Sequence, residues 1–148
     1  MRTTSSPAHL DVAAPDIAAR LRLSATRLAR RLRQESGAAL SPSQQSALAV
    51  IVNHGPLTLG ALAEHERVAP PSITKVVSKL ETDGLVIRTP DPADRRVCRV
   101  AISPEGAALM EESRRRKTAW LTARITELDS ERQRRLADAL DVLDELTS

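Results

Sequence analysis

Two groups of side chains in this sequence are of a kind that binds rather than transforms. Arg95 and Arg96 stand side by side after Pro90-Asp91-Pro92-Ala93-Asp94, with Asp94 two residues before Arg96, where its carboxylate can orient a guanidinium. Further upstream Ser72, Thr74, Lys75, Ser78 and Lys79 recur at steps that gather on one side of a helix. Hydroxyls, ammonium groups and guanidiniums hydrogen-bond and neutralise anions, and none of these is a nucleophile without a base beside it. No Gly-rich phosphate loop and no Ser/His/Asp or Cys/His set at recognisable spacing accompanies them, so no catalytic activity is expected. The three histidines, His9, His54 and His65, and the single Cys98 lack the clustering of a zinc site, and a lone cysteine makes no intrachain disulfide. No metal and no cofactor is expected.

Positioning these side chains falls to a series of short elements. Ser72 to Lys79 lie on a helix whose start is fixed by Pro70 and Pro71, which are tolerated only in a first turn, and whose end is marked by Asp83-Gly84. Ile73, Val76, Val77 and Leu80 make its core stripe and leave the polar set facing outward. Residues 85–89 and 97–102 are β-prone and flank the turn-forming stretch, which predicts a hairpin with Arg95 and Arg96 at its tip. Alternation in the second strand directs Cys98, Val100 and Ile102 to the core, and Cys98 is read there as an inert small apolar residue.

Upstream, Ser41-Pro42-Ser43-Gln44 is a capping-box start for a helix to about Asn53, with Leu48, Ile51 and Val52 on one face and His54-Gly55-Pro56 ending it. Leu57-Thr58-Leu59 suits a short strand, and Thr58 caps a short helix over Leu59–Glu66. A long amphipathic helix over residues 16–36 precedes these. Downstream, Ser103-Pro104-Glu105 opens another long helix, and Ser130 with Gln133 is read as the capping box of a last one striped by Leu136, Leu140, Leu143 and Leu146.

Composition sets the frame. The 148 residues suffice for one domain, and 41% hydrophobic with 28% charged residues describes a chain that folds. With no Phe, no Tyr and Trp120 as the one aromatic residue, the core must be aliphatic. No apolar run approaches the roughly 20 residues of a membrane span, and residues 1–15 lack the apolar centre of a signal peptide, so a cytoplasmic protein without a membrane partner is expected. The net charge of +3 agrees with an anionic partner without deciding for one.

Helix, turn, helix and hairpin in this order make a winged helix-turn-helix, a mainly α fold with a small β-hairpin wing. Each part has a task on duplex DNA. The Pro70 helix fits the major groove, where Ser72, Thr74, Lys75, Ser78 and Lys79 reach base edges and Pro71 can meet a thymine methyl. Arg95 and Arg96 on the projecting turn suit the minor groove, where the negative potential is strongest.

Residues 68–103, VAPPSITKVVSKLETDGLVIRTPDPADRRVCRVAIS followed by PEG, resemble the signature of the MarR family of transcriptional regulators. The Asp83-Gly84-Leu85-Val86 junction, the Asp91-to-Arg96 wing and the Ser103-Pro104-Glu105-Gly106 helix start match in order and spacing. The resemblance runs from about Asp16 to the end of the chain. It implies Arg96 as the minor-groove residue, Arg95 beside it, Asp94 as its orienting partner, and phosphate contacts near Ser41, Ser43 and Thr58 at helix N-termini.

Residues 1–15 mix Ser, Thr, Pro and Ala without periodicity and read as a flexible arm, and the resemblance implies one domain over 16–148. Within that domain residues 41–102 are the DNA-binding lobe, and 16–38 with 103–148 are the helices of a homodimer. The expected partner is a palindromic double-stranded operator, with the protein as a repressor. Many members are released from DNA by a small aromatic acid or phenol, so a small-molecule effector is a further partner, although Trp120 alone gives ring stacking little support. The competing reading is a protein-binding adaptor that has lost DNA contact, which would be expected to lack Arg95 and Arg96.

Overall fold

The computed structural model describes residues 13–148. The chain runs α1 (Ala14–Glu35), α2 (Pro42–His54), β1 (Leu57–Thr58), α3 (Leu59–Glu66), α4 (Pro70–Thr82), β2 (Val86–Pro90), β3 (Cys98–Ile102), α5 (Pro104–Thr126) and α6 (Ser130–Glu145). Most of the arm expected over 1–15 lies outside the described residues, while Ala14 and Pro15 belong to α1.

Three start signals act as the local chemistry dictates. Ser41 Oγ accepts from the Gln44 amide at 3.2 Å while Gln44 Oε1 accepts from the Ser41 amide at 2.8 Å, a reciprocal capping box for α2. Thr58 Oγ1 accepts from the Ala61 amide at 3.1 Å and caps α3, and Pro70 and Pro71 occupy the first turn of α4. The turn between α3 and α4 is closed by Arg67 in the left-handed region at φ 53, with the Val68 amide donating back to the Ala63 carbonyl. At α6 the cap is Asp129, which accepts from the Arg132 amide, and not Ser130; Gln133 Nε2 instead donates to the carbonyls of Ile125 and Leu128, tying α6 to the end of α5.

One aliphatic core holds the lobe together. It takes Ala47, Leu48 and Ile51 from α2, Leu62 and Ala63 from α3, Ile73, Val77 and Leu80 from α4, then Leu85, Val86 and Val100. Val76 and Ile102 pack on its margin, but Val52, expected on the buried face of α2, is exposed. The strands form a three-stranded antiparallel sheet in the order β1-β3-β2, with Leu57 opposite Val100 and Val86 opposite Ile102. Cys98 lies at the outer end of β3, opposite Pro90, and is exposed rather than inward. There the hairpin has left the body of the protein, and alternation no longer has a core to point at.

Two stretches far apart in sequence meet where β3 turns into α5. Ser103 Oγ donates to the Gly84 carbonyl at 2.6 Å and accepts from the Gly106 amide at 2.9 Å, while the Ser103 amide donates to the Leu85 carbonyl. Gly106 is buried in this joint, and a Cβ on it would run into the Leu85 carbonyl oxygen and reach 2.8 Å from Ile102 Cδ1.

α1 packs against α5, and Trp120 sits at that contact with the Arg124 guanidinium 4.3 Å and that of Arg31 5.6 Å from its ring centre. α1 and α6 bury no residue within one chain, and Ile17, Leu28, Leu140 and Leu146 are left exposed. No helix among the described residues is long and apolar enough to cross a membrane.

Candidate nucleic-acid interface

The outward face of α4 carries the polar set, since burial of Ile73, Val77 and Leu80 fixes the rotation of the helix. Pro71, Ser72, Thr74, Lys75, Ser78 and Lys79 are all exposed. They are not equally free. Thr74 Oγ1 donates to the Pro70 carbonyl at 2.9 Å, Lys79 Nζ pairs with Asp83 at 2.8 Å, and Ser78 Oγ accepts from Arg88 Nη2 at 3.2 Å. Among the described residues Ser72 and Lys75 have no side-chain hydrogen bond or ion pair.

The wing is built on Asp91. Its side chain is buried, accepts from the Ala93 amide at 2.7 Å and the Asp94 amide at 3.3 Å, and pairs with the Arg99 guanidinium. Asp followed by Pro and a turn is a known local pattern, the carboxylate satisfying amides two and three residues on. The Arg99 guanidinium, followed by those amides, holds the Asp91 carboxyl below its ordinary pKa of 3.8 against the opposing effect of burial. Arg99 Nη1 reaches the Pro56 carbonyl at 3.3 Å and so joins the wing to the loop before β1.

Above this base, Asp94 Oδ1 accepts from the Arg96 amide at 3.0 Å and from its Nε at 3.2 Å, yet the Arg96 side chain remains 92% exposed. The carboxylate directs the guanidinium without covering it. Arg95 is exposed beside it. Ser41 and Thr58, occupied as caps, and Ser43 in the first turn of α2 lie at two helix N-termini, where spare amides favour anions. No group of His, Cys, Asp and Glu among the described residues could hold a metal ion.

Sequence reasoning missed Asp91, Arg99 and Arg88. Asp91 carried a turn signal that was read only as a turn. Arg99 and Arg88 sit on strands whose partners, the Pro56 loop and α4, come near only in three dimensions.

A helix with an exposed polar face, held by two supporting helices and followed by a braced, arginine-tipped hairpin, makes this a winged helix-turn-helix protein. The sequence model of the MarR family matches residues 40–98. A helix-turn-helix-type transcriptional regulator of Mycobacterium leprae is 42% identical over 131 residues, covering 88% of this chain and 92% of its own length. A crystal structure of a transcriptional regulator protein from Pseudomonas aeruginosa superposes with a TM-score of 0.80 at 33% identity, covering 89% of this chain and 94% of that one. The fold is shared with a Staphylococcus aureus MepR mutant bound to an oligodeoxyribonucleotide, at TM-score 0.70 and 18% identity, covering 88% of this chain and 97% of that one.

The chain belongs to the MarR family. It is a transcriptional regulator and not an enzyme.

Proposed function

We propose that the protein binds a pseudo-palindromic double-stranded operator as a homodimer and represses transcription there, working in the cytoplasm. The observation that carries this reading is the presence, on one lobe, of an exposed helix face with uncommitted Ser72 and Lys75 and a projecting hairpin tip with Arg95 and Arg96. Ser72, Thr74, Lys75, Ser78 and Lys79 meet base edges in the major groove and Pro71 a thymine methyl. Arg95 and Arg96, the latter aimed by Asp94, enter the minor groove, while Ser41, Ser43 and Thr58 face phosphates. That the MepR protein of the same fold is bound to an oligodeoxyribonucleotide agrees with this arrangement.

The homodimer is supported by the uncovered apolar stripes of α1 and α6. Leu140 is 52% and Leu146 66% exposed in a single chain, too much along one helix to be incidental. Residues 16–38 and 103–148 are accordingly assigned to dimerisation and 41–102 to DNA. A half-open cleft of about 450 Å³ between α2, β3 and α5, lined by Val52, Ile102, Met110 and Arg114, is the place for a small-molecule effector.

The test is selection of bound fragments from the genomic DNA of the source organism. Enrichment of a palindrome with half-sites about 10 base pairs apart is expected, because two recognition helices must enter successive major grooves. Recovery of no duplex above background would sink the reading.

A further inference from the structure

Arg88 on β2 reaches across to α4 and ends beside Ser78. Its Nη2 is 3.2 Å from Ser78 Oγ, and its Nε is 2.9 Å from Glu81 Oε2, an ion pair that lacks hydrogen-bond geometry and leaves the buried Nε without an acceptor. A guanidinium has donors only, so the serine oxygen must accept at this contact. One lone pair of Ser78 is thereby taken, and its proton is left for whatever approaches the exposed helix face. Thr74, one turn earlier, is set the opposite way. Its Oγ1 is 2.9 Å from the Pro70 carbonyl oxygen, which only accepts, so Thr74 uses its proton within the helix and offers lone pairs outward.

Building on the DNA-binding reading above, we propose that Arg88 sets base specificity by presenting Ser78 to the major groove as a hydrogen-bond donor matched to a purine N7. Guanine fits best, since its N7 and O6 are adjacent acceptors, whereas the amino groups of adenine and cytosine are donors. An unpartnered serine can rotate its hydroxyl to suit either kind of group and so discriminates little. Arg88 touches no base in this arrangement and is a positioning residue. With Thr74 facing a donor and Ser78 an acceptor about one helical turn away, the two hydroxyls read opposite polarities along one half-site.

The experiment uses the full chain and an operator recovered by selection, in which each purine is replaced in turn by its 7-deaza analogue. That change removes the N7 acceptor and leaves base pairing intact. The wild type is expected to lose about three- to tenfold in affinity at one symmetric pair of purines. Ser78→Ala becomes insensitive at that pair alone. Arg88→Met shrinks the penalty there, and Arg88→Lys, which keeps a donor and adds no acceptor, restores it. Sensitivity elsewhere in the operator stays as in the wild type, which a misfolded or loosened lobe would not preserve, and melting temperatures check folding directly. The inference is overturned if Ser78→Ala keeps the wild-type penalty at every purine, or if Arg88→Met cannot be told from wild type at the Ser78 pair. A wild-type protein that selects no duplex at all fails at the earlier step and refutes the DNA-binding reading itself.

Discussion

Lys75 and Arg96 are both exposed cations, yet their surroundings differ. Lys75 stands unpaired on α4, the proposed recognition helix, while Arg96 is aimed by a carboxylate on a hairpin that leaves the body of the protein. Arg96→Ala should therefore weaken binding to every sequence and flatten the salt dependence by about 0.9 in the log–log slope for each arginine lost, as expected of a charge in the minor groove. Lys75→Ala should relax preference at one symmetric pair of operator positions by roughly 1–3 kcal/mol. Affinities for an operator and its single-base variants at several salt concentrations separate the two, and equal weakening of all variants by Lys75→Ala would make Lys75 a phosphate contact. Asp91 yields a prediction about stability. Its carboxyl is held below the ordinary value by Arg99, so its contribution is present above that value and is lost as pH falls through the lowered one. Asp91→Asn should melt below the wild type at pH 7, and the gap should begin to close only below about pH 4. A gap that is constant down to pH 3 would mean that Asp91 acts through its turn geometry alone.

The elements were legible where their punctuation was unambiguous. The range of α4 follows from two prolines and an Asp-Gly, each of which excludes alternatives on backbone grounds, and its stripe gave the rotation that exposes Ser72 to Lys79. At α6 two neighbouring residues could both cap; Asp129 does so, and Gln133 is drawn back to the carbonyls of Ile125 and Leu128, a contact no local pattern records. Cys98 was misread because alternation assumes a body beneath the sheet, and β1 gave no sign that it would pair with β3 across the intervening helices. The polarity of the site was equally hidden, since Arg88 and Arg99 act on segments distant in sequence. The Ser-Pro-Glu-Gly motif was visible as a resemblance, but its reason is spatial: Gly106 is where α5 meets the turn after α4. Gly106→Ala should destabilise the lobe by about 2–3 kcal/mol, as overpacking against backbone does, and chemical denaturation would measure it. An unchanged midpoint would show that the joint can open without cost.

At the scale of the whole molecule, half of the chain carries the core and the other half carries uncovered leucines. Within one chain the buried residues of α5 are Gly106 and Ser113, and α1 and α6 have none. The proposed dimer makes these helices a second core shared between copies. Leu140→Asp removes apolar burial from both copies at once, about 1.5–3 kcal/mol for each, so the dimer dissociation constant should rise a hundredfold or more. Sedimentation at micromolar concentration tests this, and a monomeric wild type would remove the dimer from the account. Operator binding by Leu140→Asp should fall with dimerisation while the thermal unfolding of the lobe is retained.

The placement of Trp120 gives the molecule a built-in optical probe. Because the chain has no tyrosine, its fluorescence excited near 280 nm comes from a single indole, clasped by Arg31 and Arg124 between α1 and α5, with its ring N–H buried and unpartnered. The proposed contacts of α4 and the wing lie on other elements. A shift in emission maximum or quenching as operator is titrated in therefore reports a rearrangement carried from the lobe into the helical half. Binding detected by anisotropy of labelled DNA with no change in that emission would mean that the lobe engages DNA as a rigid attachment.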